Sequence, residues 1–171
     1  MKKQVLPSIL VIILLISTFK SFGITNKIGD PIKIFRKNNT LLLHTRNKIK
    51  FNINSVKLDD ISKYELGIIG NTLRLNKNIK IEIAVYNDSR SDPDFSKNIT
   101  QKRAEVIKQF LINDGVNPDN LIAIGYGDEH ILNKCKPMVK CTAKEHAVNR
   151  RVELKILNPE AIEDYVIAKR H

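Results

Sequence analysis

An acid and a base stand fifteen residues apart near the middle of the chain, and their types suit the binding of a zwitterion. Asp88 lies in a polar stretch rich in Asp and Ser, and Arg103 follows in a segment with helical periodicity. A carboxylate binds an ammonium group, and a planar guanidinium binds a carboxylate through two parallel hydrogen bonds. We therefore predict a pocket formed by these two side chains. The structural alternative is a salt bridge between Asp88 and Arg103 that serves only the fold.

The elements around this pair place both residues at the ends of secondary structure. Apolar residues alternate with polar ones from Ile79 to Val85, which predicts the clearest strand of the chain, with Asp88 just beyond its end. Asn98 with Gln101 three residues later is typical of a capping box, which would begin the helix that carries Arg103. We expect both side chains to point into a cleft at the edge of a sheet.

The rest of the chain predicts an α/β protein. Alternation predicts a first domain strand over Ile49 to Ile53, and apolar spacing predicts a helix from Leu58 to Leu73. Further strands are predicted from Leu121 to Tyr126 and from Val152 to Ile156, and the intervening segment is predicted as a loop. Helices between strands imply crossovers, hence a mixed sheet with helices packed on one face.

Four motifs in this order resemble the OmpA C-terminal-like domain family, which tethers the bacterial envelope to peptidoglycan. They are Asp88, Ile99 to Ala104, Gly125 to Glu129, and Asn149 to Glu153. The resemblance implies a βαβαββ two-layer sandwich with helices on one face of a mixed sheet. The chain departs from the family where Val85-Tyr86-Asn87 replaces Gly-His-Thr and where Ser96 replaces an asparagine.

The resemblance also implies a ligand, the diaminopimelate of the peptidoglycan stem peptide. Asp88 would bind its ammonium and Arg103 its carboxylate. The family pattern adds four ligand-binding candidates, Asn87, Thr100, Asn149 and Arg150. It implies a non-catalytic peptidoglycan-binding protein, and the alternative is a structural or interaction protein of the envelope that keeps the fold without the ligand.

The N-terminus predicts export. A lysine pair, an apolar run from Val5 to Phe19 and small residues near Gly23 predict a signal peptide over residues 1–23, with an uncleaved anchor as the alternative. An N-terminal extension over 24–47, an OmpA-like domain over 48–158 and a tail over 159–171 would follow. We expect the periplasm, with association with the outer membrane and with a protein complex there.

Export decides how the charge is interpreted. The formal net charge is +11, and removing Lys2, Lys3 and Lys20 with the signal leaves 11 − 3 = +8. Inside the cytoplasm such a charge would favour nucleic acid, but outside it the available polyanions are peptidoglycan carboxylates and anionic lipids. We therefore expect no nucleic-acid partner.

Two cysteines, Cys135 and Cys141, bracket a short loop, and in an exported domain this spacing predicts a disulfide. The alternative is a zinc site in which His130 and His146 join the two cysteines. We expect no cofactor, because no metal motif of known spacing is present. No nucleophile elbow and no glycine-rich phosphate loop is present either, so we expect no enzyme activity.

Overall fold

The fold consists of one five-stranded sheet and three α-helices among the residues that the computed structural model describes, which are 32–37, 40–52 and 54–162. The elements run in the order β1 (Ile32–Lys37), β2 (Thr40–Thr45), α1 (Asp60–Leu75), β3 (Ile81–Tyr86), α2 (Pro93–Asn113), β4 (Leu121–Gly127), α3 (Ala143–Asn149) and β5 (Arg151–Ile156). A 3-10 turn at Pro118–Asn120 leads into β4.

The sheet is mixed, as predicted. Its strand order is β1-β2-β5-β3-β4, in which only β3 and β4 are parallel. Helix α2 makes the crossover between these two parallel strands, because strands that run the same way cannot be joined by a tight hairpin. The inner strand β3 therefore ends at the same end of the sheet as β4, beside the start of β5.

The core lies between one face of the sheet and helices α1 and α2. The residues Ile81, Ile83 and Val85 alternate along β3 and are almost completely buried against the helices. The helical side of this core consists of Leu66, Ile69 and Leu73 from α1, and Ala104, Ile107 and Leu111 from α2. The predicted packing of helices on one face is confirmed.

The first two strands form a hairpin that extends the sheet beside β5. The prediction of a strand over Ile49 to Ile53 is wrong for the described residues there. Of these residues only Phe51 pairs, in an isolated bridge with Leu58. A turn with Asn54 in the left-handed region follows, and β2 takes the place beside β5. The sheet thus includes residues that precede position 48.

Helix α2 begins earlier than the predicted capping box. Asp92 is the N-cap, and its carboxylate accepts hydrogen bonds from the backbone N–H groups of Asp94 and Phe95. Pro93 occupies the first helical position, where its fixed φ suits a helix and its missing N–H is not needed. Asn98 therefore lies inside the helix, and the prediction that it begins the helix is wrong.

The other predicted elements form with shifted ends, and the segment predicted as a loop before β5 contains the short helix α3. Residues 1–31 and 163–171 lie outside the described residues, so the predicted signal peptide and most of the predicted tail do too. In the described part of the chain, no helix has the length and apolar character needed to cross a membrane.

Helix α2 and strand β4 approach each other too closely for a side chain at Gly125. A Cβ atom there would lie 2.5 Å from the Cα of Gln101 in α2, closer than real Cβ contacts. The backbone N–H of Gly125 also donates to the side-chain oxygen of Gln101, at 2.7 Å. Glycine at this position thus allows α2, the helix that carries Arg103, to pack directly on β4.

We expect Gly125→Ala to lower the free energy of unfolding by about 3 kcal/mol, because a Cβ would push α2 off the sheet. Gly67→Ala is the matched control. Position 67 lies inside α1 with no atom within 4 Å of an added Cβ, so that variant should gain up to about 1 kcal/mol from helix propensity. Urea denaturation of both variants measures the difference, and equal stabilities would contradict the close approach.

Candidate ligand-binding site

The register of β3 and β5 brings Asp88 next to Arg150. Tyr86, the last residue of β3, pairs with Arg151, the first residue of β5. The two strands are antiparallel, so the chain leaving β3 and the chain entering β5 lie side by side. The side chains of Asp88 and Arg150, 62 residues apart in sequence, form an ion pair with Nη1 to Oδ2 at 2.5 Å.

Asp88 is a buried carboxylate held by two arginines. Its side chain is 4% exposed. Arg90 binds both oxygens, from Nε to Oδ1 at 3.0 Å and from Nη2 to Oδ2 at 2.9 Å, and its backbone N–H donates to Oδ1. Burial by itself raises the pKa of Asp88, but the hydrogen bonds from Arg90 and Arg150 outweigh it and lower the pKa to about 2.

Arg103 is also buried, but its described partners are neutral. Its guanidinium donates to the backbone carbonyls of Ser55 and Asn52, each at 2.9 Å, and lies over the ring of Phe51. Burial lowers the pKa of Arg103, and the positive charge of Arg150 lowers it further. No ion pair joins Arg103 to a carboxylate among the described residues, so the Asp88–Arg103 salt bridge, the structural alternative to the predicted pocket, is absent there.

This arrangement leaves hydrogen-bond donors of Arg103 unused by the described residues. The guanidinium of Arg103 also repels Arg150 strongly enough to shift its own pKa. A ligand carboxylate would complement these two cations. The acid of the arrangement is Asp88, which pairs with Arg150. Its carboxylate is ionised above about pH 2.

Asn87 and Thr100 join the ends of β3 and β4 to α2. The side chain of Asn87 donates to the hydroxyl of Ser96 at 3.0 Å. The hydroxyl of Thr100 donates to the carbonyl of Ser96 and accepts from the backbone N–H of Gly127 at 2.9 Å. Both residues are buried, and these contacts stabilise the end of the sheet from which Asp88 follows.

The departure from the family pattern at Tyr86 lies on the other face of the sheet. Val85 and Asn87 face the helices, so alternation places Tyr86 on the opposite face. There its ring stacks on that of Tyr126, with centroids 4.9 Å apart, and the guanidinium of Arg151 lies over it at 3.7 Å. The change to tyrosine therefore leaves the side that carries Asn87 unaffected.

Asn149 organises the loop that precedes β5. It is fully buried, its side-chain oxygen accepts from the backbone N–H of Leu132, and its amide donates to Asn133. Arg150 is the next residue in the chain, so these bonds fix the position of its backbone.

Cys135 and Cys141 form the predicted disulfide in the same loop. The hydroxyl of Ser89, next to Asp88, donates to the carbonyl of Cys135 and ties the loop to the site. The zinc alternative required two free thiolates, and these sulfurs are joined to each other. His130, one of its proposed ligands, instead packs edge-on against Tyr126.

Comparison with known proteins identifies the family. The family model described as "OmpA family" matches residues 50–144, more than half of the chain. This chain belongs to the OmpA family. The OmpA-family domain is 35% identical over 77 residues to outer membrane porin F of Pseudomonas fluorescens, covering 44% of this chain and 22% of that protein.

Two further similarities agree with this assignment. Probable lipoprotein YiaD of Escherichia coli K12 is 24% identical over 126 residues, which cover 74% of this chain and 55% of that protein. The crystal structure of the peptidoglycan-associated lipoprotein from Burkholderia pseudomallei has the same fold, with a TM-score of 0.58 and 22% identity over 65% of this chain and 90% of that one. The matched part of this chain spans about a fifth of the length of porin F and about half of the length of YiaD.

Neither Arg90 nor the carbonyl pair that binds Arg103 is among the site residues predicted from the sequence of this OmpA-family domain. Arg90 stands two residues after Asp88, and an aspartate commonly accepts from the backbone N–H two residues on, so a local signal was present. The contact of Arg103 with Asn52 and Ser55 had no such signal, because it joins residues about fifty positions apart.

The lowered pKa of Asp88 predicts an acid-sensitive contribution to the stability of the OmpA-family domain. A carboxyl with a native pKa of about 2 against 3.8 when unfolded stabilises the fold above about pH 4 and loses that effect as the pH falls through about 2. We expect Asp88→Asn to destabilise the fold by about 2 kcal/mol near neutral pH, and by much less near pH 2, where the parent carboxyl is itself half protonated.

Urea unfolding at the two pH values measures this convergence. Glu145→Gln is a parallel test, because hydrogen bonds from Thr142 also lower the pKa of Glu145 to about 2, so its effect on stability should shrink near pH 2 in the same way. A parent and an Asp88→Asn variant that differ equally at both pH values would contradict the proposed role of the charge.

Proposed function

We propose that this protein binds peptidoglycan without catalysis, with Asp88 binding the ammonium and Arg103 the carboxylate of diaminopimelate in the stem peptide. The observation that carries the proposal is the burial of Arg103, a residue 7% exposed whose guanidinium has carbonyls but no carboxylate as described partners. A buried charge is costly unless it is paired, so the site favours an anion from outside.

The ion balance around Asp88 supports the same ligand. Two guanidinium groups, from Arg90 and Arg150, contact the carboxylate of Asp88, and a third, from Arg103, is near enough to Arg150 for the two cations to repel each other. A ligand that supplies one carboxylate reduces this imbalance. A ligand that also supplies an ammonium restores the charge opposite Asp88 when an arginine leaves it.

The cellular setting that fits this function is the periplasm, in association with the outer membrane and a protein complex there. The family assignment and the relatives support this, because they include an outer membrane porin and a peptidoglycan-associated lipoprotein. The positive net charge favours the polyanionic wall as well.

One observation favours a second function, that of a structural or interaction protein of the envelope that keeps the fold without the ligand. Both oxygens of Asp88 are already bound, by Arg90 and Arg150. In such a protein these contacts would be permanent, and Asp88 would serve only the end of the sheet.

We expect the exported protein to co-sediment with insoluble peptidoglycan, and Asp88→Asn and Arg103→Lys to weaken this at least about tenfold, since losing one partner of a desolvated pair costs about 2–5 kcal/mol of binding. Lysine keeps the charge of Arg103 but cannot fork onto a carboxylate. Arg74→Lys is the matched control, because Arg74 lies near the C-terminal end of α1, away from the site. Dissociation constants come from sedimentation with increasing amounts of wall.

Salt and competitor separate this binding from general attraction to a basic protein. At about 1 M salt the Debye length is ~3 Å, which suppresses exposed attraction more than a buried contact. The proposed ligand gives a second test. Free diaminopimelate should compete better than lysine, and walls with lysine in place of diaminopimelate should bind less. If binding disappears with salt, the competitors act alike and all three variants sediment like the parent, the protein has the fold without the ligand.

A further inference from the structure

The side chain of Arg90 lies where a ligand ammonium would have to bind. Its Nε and Nη2 meet the two oxygens of Asp88 side by side, at 3.0 and 2.9 Å, which is the bidentate geometry of a strong arginine–carboxylate pair. The carboxylate side chain is 4% exposed, so little of it is left open to solvent for a second cation.

Of the two arginines on Asp88, Arg90 is the one that can leave. The side chain of Arg90 is 53% exposed, and that of Arg150 is 34% exposed. Arg150 also directly follows the buried Asn149 in the chain, which fixes its backbone. The described contacts of the Arg90 side chain all go to Asp88, so its displacement breaks bonds to that residue alone. Arg90 also lies in a turn, where a side chain can swing into solvent without moving a helix or strand.

We propose that Arg90 is a built-in competitor of the ligand, which occupies the ammonium position on Asp88 and leaves when the ligand binds. This inference rests on the proposed function. The class of ligand follows from the exchange, because a guanidinium on a buried carboxylate is replaced without loss of charge only by another cation. A primary ammonium with a nearby carboxylate meets this requirement and also reaches toward Arg103 and Arg150, which repel each other.

Arg90 would thereby set both the affinity and the selectivity of the site. A ligand must break a bidentate contact before it binds, so each ligand loses the free energy of that contact. A purely anionic ligand could approach Arg103 but could not displace Arg90 from Asp88. The contact also keeps the carboxylate of Asp88 ionised and satisfied when no ligand is present, which a buried acid requires.

Replacing Arg90 by glutamine tests the proposal in the exported protein. Arg90→Gln keeps the backbone N–H that donates to Asp88 and removes the competing charge. Removal of a partly exposed ion pair should lower the Kd for diaminopimelate-containing peptidoglycan about three- to tenfold. Arg90→Lys should fall between glutamine and the parent, because an ammonium competes without the bidentate geometry.

Arg74→Gln is the matched control, since it removes the same charge beside another aspartate, Asp114, with Nη1 to Oδ1 at 3.9 Å. It should bind like the parent. General attraction to the wall predicts the opposite result for Arg90→Gln, because that variant has less positive charge. A pH titration of the side-chain carboxyl groups, monitored by NMR, gives a readout without ligand. The pKa of Asp88 should rise in Arg90→Gln and stay unchanged in Arg74→Gln.

The outcomes separate this inference from the proposed function. If Asp88→Asn loses binding while Arg90→Gln binds like the parent or more weakly, the protein is a peptidoglycan receptor and Arg90 is not a competitor. If neither the parent nor Arg90→Gln binds more tightly than Asp88→Asn, the proposed function itself fails. Tighter binding by Arg90→Gln alone, with the pKa of Asp88 raised, supports both.

Discussion

The close approach of helix α2 to strand β4 determines the geometry of the whole site. At Gly125 the two backbones leave no space for a Cβ, and the side chain of Gln101 bonds to the strand at that point. Next to Gln101, the hydroxyl of Thr100 accepts a hydrogen bond from the backbone N–H of Gly127, and one turn earlier the hydroxyl of Ser96 accepts one from the side chain of Asn87. Because α2 is attached to both parallel strands in this way, Arg103 on the helix and Asp88 beyond β3 have a fixed relative position.

Electrostatics then decides what this fixed geometry can bind. The buried carboxylate of Asp88 is in contact with two partly exposed arginines, while the buried guanidinium of Arg103 has carbonyl partners. Burial opposes ionisation of both the acid and the base, and only the hydrogen bonds to Asp88 overcome it, so the pKa of Asp88 falls and that of Arg103 falls as well. The site therefore combines an acid paired with two arginines and a base whose described hydrogen-bond partners are neutral carbonyls.

The loop before β5 contributes the second arginine, and several independent contacts position it. The disulfide closes the loop, Asn149 binds two of its residues, and Ser89 ties the carbonyl of Cys135 to the turn after Asp88. A loop of this length would otherwise lose much conformational entropy on becoming ordered. The cross-links reduce that loss, and Arg150 is held where the chain enters β5.

Local patterns were sufficient to predict much of the fold. The alternation in β3 and β5, the apolar stripes of α1 and α2 and the cysteine spacing reflect interactions among near neighbours, and the mixed sheet with helices on one face followed from them. The ends of elements were less predictable. Asn98 has the sequence of a cap, but Asp92 and Pro93 begin the helix, because an earlier cap with a proline after it extends the same stripe.

The sequence by itself determined the residue types of the candidate site, namely an acid just after a predicted strand and an arginine on the following helix. Only the tertiary structure decided their partners. Arg150 meets Asp88 through the antiparallel register of β3 and β5, and Arg103 meets the carbonyls of Asn52 and Ser55 through the packing of a distant turn. Such contacts join residues about fifty or more positions apart, and no local pattern encodes which distant segment lies against a side chain.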